Sequence, residues 1–100
     1  MKVSYEESGG FANLTRGCVL DTDQLPPAEA AQLESLVETG QVPQSLAARS
    51  PRARDAMQYD LTIERAGKSH TISVDDLTLP PKLRPLVQFL QKHAKRLPTG

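Results

Sequence analysis

The hundred-residue sequence predicts an α+β fold: a four-stranded antiparallel sheet with two helices on one face, in the order β-β-α-β-β-α. Three observations carry that expectation. Residues 2–8 with 11–20, and 57–64 with 69–74, form two pairs of segments alternating polar and apolar side chains, each pair joined by a short turn containing glycine. Residues 28–39 and 83–97 place apolar side chains at helical spacing instead. Each of those stretches opens on Leu-Pro-Pro, and proline is well tolerated in a first helical turn, where its missing N–H has no intrahelical partner.

Taken in order, Val3 and Tyr5 share one face of the first strand, and Lys2, Ser4 and Glu6 the other. Gly9-Gly10 supplies two residues that accept positive φ, a hairpin signal. In the second strand Ala12, Leu14, Cys18 and Leu20 have one parity, and Arg16 interrupts that face, which predicts a bulge or strand end at Gly17. Leu25-Pro26-Pro27 then opens a helix carrying Ala30, Leu33, Leu36 and Val37 on its apolar stripe, with Gly40 as C-cap. Residues 41–56 show no period and are expected to form a mobile loop, with Val42 and Leu46 pinning it to the core. Tyr59, Leu61 and Ile63 face inward from the third strand, Ala66-Gly67-Lys68 turns, and His70, Ile72 and Val74 line one face of the fourth. Leu79-Pro80-Pro81 opens a final helix with Leu83, Leu86, Val87, Leu90, Ala94 and Leu97 on its stripe, stopped by Pro98 and frayed over 97–100.

Length allows one domain, residues 1–100, around one core. With two Tyr, two Phe and no Trp, that core should be mostly aliphatic. Twelve basic and twelve acidic residues cancel, which argues against nucleic acid or an anionic membrane as partner. Lys82, Arg84, Lys92, Lys95 and Arg96 concentrate in the last fifth; they read as a solvated helix face, with a small nucleic-acid binder as the lesser alternative. No apolar run approaches the ~20 residues of a membrane span. The opening MKVSYEESGG lacks the apolar stretch of a secretory signal, so a cytoplasmic location is expected. Cys18 is the single cysteine; it reads as a small buried hydrophobe, and a reactive role would need a cationic neighbour.

Chemistry of its own is not legible in the chain. His70 and His93 are far apart and lack zinc-ligand spacing, no nucleophile elbow occurs, and Asp75-Asp76 would point to opposite faces of a strand. Neither a catalytic residue nor a metal nor a cofactor is predicted. What remains are two loops. The turn Gly9, Gly10, Phe11, Ala12 and Asn13 either folds Phe11 back onto the sheet or presents it as an aromatic anchor to a partner. Arg49, Arg52 and Arg54 stand in the aperiodic loop, able to meet an acidic surface.

Glu7-Ser8-Gly9-Gly10-Phe11-Ala12, Leu25-Pro26-Pro27, Tyr59-Asp60-Leu61-Thr62-Ile63 followed by His70-Thr71-Ile72, and Pro80-Pro81 with Leu83 through Leu90 resemble, in this order and spacing, emfourin, the protealysin inhibitor family. The resemblance spans nearly the whole chain. It implies a small, disulfide-free protein that binds a thermolysin-like zinc metallopeptidase and blocks its active-site cleft, the metal belonging to the peptidase alone; the chain itself is expected to be a monomer. A non-inhibitory module escorting a peptidase precursor would share the same fold and partner.

Overall fold

The computed structural model describes residues 1–9, 14–48 and 56–96. Its elements run β1 (Lys2–Gly9), β2 (Leu14–Asp21), α1 (Pro27–Thr39), β3 (Ser45–Ala48), β4 (Gln58–Arg65), β5 (Lys68–Asp75), a 3-10 turn (Pro81–Leu83), α2 (Arg84–His93) and β6 (Lys95–Arg96). The described strands form one mixed sheet of six in the order β3-β5-β4-β1-β2-β6, and β6 is only two residues long.

The two expected hairpins are present, with strict alternation setting their register. β1 meets β2 from Lys2↔Asp21 to Gly9↔Leu14. β4 meets β5 from Gln58↔Asp75 to Arg65↔Lys68 across a turn in which Ala66 and Gly67 both take positive φ, the backbone a two-residue hairpin needs. Antiparallel pairing of β1 with β4 joins the two hairpins, with Val3 opposite Ile63 and Tyr5 opposite Leu61.

Four expectations are corrected. The sheet has more than four strands and is not wholly antiparallel, because Ser45–Ala48, inside the stretch read as a loop, adds to the edge of β5 in parallel. Four small residues are too short to show a period, yet Leu46 and Val42 do pack against the core. No bulge occurs at Gly17: the β1–β2 register is unbroken there, and Gly17 pairs with Glu6 on one side and Lys95 on the other. Arg16 stays in the ladder opposite Glu7 and does not end the strand. Finally, α2 stops at His93, four residues short of Leu97: Ala94 turns extended (φ −70°, ψ 137°), and Lys95 and Arg96 pair with β2. The expected fraying over 97–100 lies outside the described residues.

Alternation decides what is buried. Val3, Tyr5, Leu61, Ile63, Ile72 and Val74 point to one face of the sheet, where they merge into one cluster with Leu33 and Val37 of α1 and Leu86, Val87 and Leu90 of α2. Both helices therefore cover the same face, as the apolar stripes predict. Each fully buried aliphatic side chain contributes about 1.5–3 kcal/mol. The core is aliphatic with an aromatic share, since Tyr5, Tyr59 and Phe89 are all buried. At the end of α1, Gly40 has an ordinary helical φ of −71°, and a Cβ there would fit tightly, 3.0 Å from both the Leu36 carbonyl oxygen and Leu83 Cδ2, so that these neighbours would have to give by a few tenths of an ångström. Gln41, not the glycine, takes the left-handed conformation. The opposite sheet face carries Ser4, Glu6, Val19, Asp60 and Thr62 and has no helix over it among the described residues; Val19 is 61% exposed. No described helix is long and apolar enough to cross a membrane.

Candidate functional site

Two of the loops singled out from the sequence start and finish at one end of the sheet. Gly9, the last residue of β1, is paired with Leu14, the first of β2. Ala56 lies directly beside it: a Cβ on Gly9 would sit 2.8 Å from the Ala56 carbonyl oxygen. Ala48, the last residue of β3, pairs with Val74. Val74 stands opposite Tyr59, Tyr59 opposite Glu7, and Glu7 opposite Arg16. Arg16 in turn pairs with Arg96. Gly9, Leu14, Ala48, Ala56 and Arg96 thus share one end, and they flank residues 10–13, 49–55 and 97–100. Of the candidate residues, Gly9 alone is described, with φ +113°. Gly10, Phe11, Ala12, Asn13, Arg49, Arg52 and Arg54 lie outside the described residues.

Side-chain hydrogen bonds hold Ala48, Met57 and Ala94, at or near three of those flanks. The Thr78 hydroxyl donates to the Ala48 carbonyl, and Thr78 is itself fixed by Asp75, whose Oδ1 accepts from the Leu77 and Thr78 amides at 2.8 and 3.0 Å. Asp76 grips Met57 twice: its Oδ2 accepts the Met57 amide at 3.2 Å and its own amide donates to the Met57 carbonyl at 3.1 Å. The Tyr59 hydroxyl donates to the second Asp76 oxygen. Arg16 Nη2 donates to the Ala94 carbonyl at 3.0 Å, tying β6 to β2. Asp75 and Asp76, read from the sequence as adjacent carboxylates on opposite faces of a strand, therefore position the exit of β3 and the start of β4. The signal was hidden because the Asp76–Met57, Asp76–Tyr59 and Thr78–Ala48 contacts bridge distant parts of the chain.

Beneath this end lies a polar cluster. Tyr5 and Tyr59 stack with centroids 6.4 Å apart. The Tyr5 hydroxyl is buried without a hydrogen bond of ordinary geometry, although Glu7 and Gln91 both approach it. Burial raises the pKa of both phenols, reinforced at Tyr59 by the hydrogen bond to Asp76. Glu7 is 6% exposed, and its loss of hydration raises its pKa; Arg16 opposes that shift and Asp76 adds to it. A carboxyl whose folded-state pKa is raised binds more protons folded than unfolded. Its contribution is therefore fully present below the ordinary carboxylate pKa and is lost as pH rises through the higher folded-state value. Glu7→Gln should flatten the dependence of the urea midpoint on pH across that window. An unchanged slope in paired pH-series measurements would contradict the assignment.

Nothing in the described residues resembles a reactive centre. They contain no cluster of three or more His, Cys, Asp or Glu able to hold a metal. His70 is half-buried, its Nδ1 3.2 Å from the Pro43 carbonyl. His93 is half-buried too, and its ring packs on Phe89 at 4.9 Å. The Cys18 thiol approaches the Leu90 carbonyl at 3.7 Å, and burial, with Glu7 nearby, pushes its pKa up, the opposite of what a nucleophilic thiolate requires.

A protein-family model described as Emfourin matches residues 5–91 of the chain. No curated protein and no solved structure matches it. The matched span runs from within β1 to within the last turn of α2, taking in β2, α1, β3, β4 and β5 whole.

Proposed function

The chain belongs to the emfourin family, and on that footing we propose that it inhibits a thermolysin-like, protealysin-type zinc metallopeptidase by seating one end of its sheet over the active-site cleft. The match across residues 5–91 is the observation that carries this reading. The geometry supports it by what it fixes in advance. An inhibitor must hold its contact segments in place before it meets the enzyme, since ordering them on binding costs about 0.5–1.5 kcal/mol for each immobilised side chain. Here Gly9, Ala48, Met57 and Ala94 are anchored through the backbone or a side-chain bond at the same end.

In this reading Phe11 enters an apolar subsite beside the peptidase's zinc, and Arg49, Arg52 and Arg54 face acidic surface at its rim. The chain supplies shape and charge, and the enzyme keeps its own metal. Titrating a thermolysin-like peptidase with the purified chain should abolish peptide hydrolysis near one equivalent. Undiminished hydrolysis at micromolar excess sinks the proposal. Within the same assay, Phe11→Ala should weaken inhibition mainly through faster dissociation. Arg52→Glu should instead slow association, on the order of tenfold in low salt and less in high salt, as expected for a charge outside the buried centre.

A further inference from the structure

The two edges of the sheet are finished differently. At one edge stands β6, two residues long and both basic, the usual way a fold discourages another chain from pairing there. At the other stands β3, Ser45–Ala48, with no charge, no proline and no bulge. Among the described residues no strand pairs with its outer side, and natural sheets rarely leave such an edge unguarded, because its outer backbone groups template a further strand.

Which groups those are follows from the ladder. The Thr71 amide donates to the Gln44 carbonyl at 3.1 Å, so Gln44 turns its polar backbone toward β5. Successive residues of a strand point theirs to opposite sides, so Leu46 and Ala48 also face β5. Ser45 and Ala47 turn their N–H and C=O outward. Both residues are exposed, while Leu46 and Ala48 are half-buried against the core. Ser45 and Ala47 are small, and neither side chain obstructs a strand lying alongside. The edge is also held rigid: Thr78 fixes the Ala48 carbonyl, and His70 lies against the Pro43 carbonyl just before the strand.

We infer that β3 is a docking edge, and that its occupant is an extended segment lining the substrate cleft of the bound peptidase, which pairs with the outward backbone groups of Ser45 and Ala47. This rests on the inhibitor reading above. Proteolytic clefts hold substrate as an extended chain through main-chain hydrogen bonds, so they already present a strand with unmatched groups. The location agrees, since β3 ends at Ala48, on the same sheet end as Gly9 and Ala56. A partner seated there reaches the edge without leaving the surface. Pairing through the backbone also lets an inhibitor engage a cleft that accepts many sequences, because the contact ignores side-chain identity.

Ala47→Pro tests the edge, as it removes one outward N–H and no bond to β5. Its inhibition constant against a thermolysin-like peptidase should rise about tenfold, the worth of one backbone hydrogen bond at an interface. Ala47→Val, which keeps the N–H, should inhibit like the unaltered chain. An Ala47→Pro protein that is folded by circular dichroism and inhibits equally well overturns the edge and leaves the inhibitor reading standing. Failure of the unaltered chain to inhibit overturns both. Should the proline variant not fold, hydrogen exchange on the unaltered chain decides. The Ser45 and Ala47 amides are expected to slow on adding the peptidase. Equal exchange with and without enzyme, or slowing with inhibitor concentration alone, which would mean pairing between copies, refutes the assignment.

Discussion

Gly9→Val is expected to destabilise the fold by about 2–4 kcal/mol, a large part of the stability of a domain this size. Two independent costs add. The residue holds φ at +113°, a conformation that a β-branched side chain strongly resists. Its new Cβ would also stand 2.8 Å from the Ala56 carbonyl oxygen, which is backbone and has little freedom to withdraw. Gly67 separates the two terms. Its φ is +77°, but nothing lies within 4 Å of where a Cβ would stand, so Gly67→Ala should cost only about 1 kcal/mol of conformational strain. Urea unfolding of both variants provides the comparison. A Gly9→Val shift no larger than that of Gly67→Ala would mean that the close approach of β1 to Ala56 is not maintained in solution. Because Gly9 and Ala56 flank the two candidate segments, the same variant should also weaken inhibition by driving those flanks apart.

Asp75→Ala should produce a loss of similar size, about 2–4 kcal/mol, through a different route. The side chain is 1% exposed, and its Oδ1 accepts the amides of Leu77 and Thr78 while lying 3.2 Å from the Thr78 hydroxyl. Alanine leaves two donors without that acceptor in a partly buried turn, each costing about 1–3 kcal/mol. Asp75→Asn keeps one carbonyl oxygen in the same place and should retain much of the stability. The loss propagates to β3, since Thr78 is the residue that holds the Ala48 carbonyl. Thermal melts of the two variants, followed by hydrogen exchange over residues 45–48, would separate a loosened edge from general unfolding. Equal melting of alanine and asparagine forms would exclude the capping role.

The parts of the fold that were legible are those in which a local pattern decides the outcome. Tyr59, Leu61 and Ile63 alternate against Ile72 and Val74, and a one-residue slip would expose all of them, so the β4–β5 register was fixed by polarity alone. The stripe Leu83, Leu86, Val87, Leu90 and Ala94 is buried throughout for the same reason. The parallel strand was not legible: Ser-Leu-Ala-Ala is short and weakly patterned, and its partner β5 lies more than twenty residues further on. β6 was missed because Pro98 offered a plain helix stop, whereas the helix gives way at Ala94, where Arg16 captures the carbonyl. At the candidate site, Gly9 announced itself as a turn glycine. The grip of Asp76 on Met57 could not be anticipated, since it depends on a contact nineteen residues apart in the chain. Phe89 escaped notice because it adjoins Leu90 and falls off the narrow stripe, yet the sheet and helices close around it.

The sheet order places the N-terminal strand in the interior, with Ser4 paired to Val19 on one flank and to Thr62 on the other. During synthesis the first hairpin emerges early and must wait, one flank bare, until the second is complete. The central seam joins strands far apart in the chain, and long-range pairing of this kind slows folding. Chains stalled before that moment expose their most apolar strands, so nascent or truncated forms carry a hazard that the finished molecule does not.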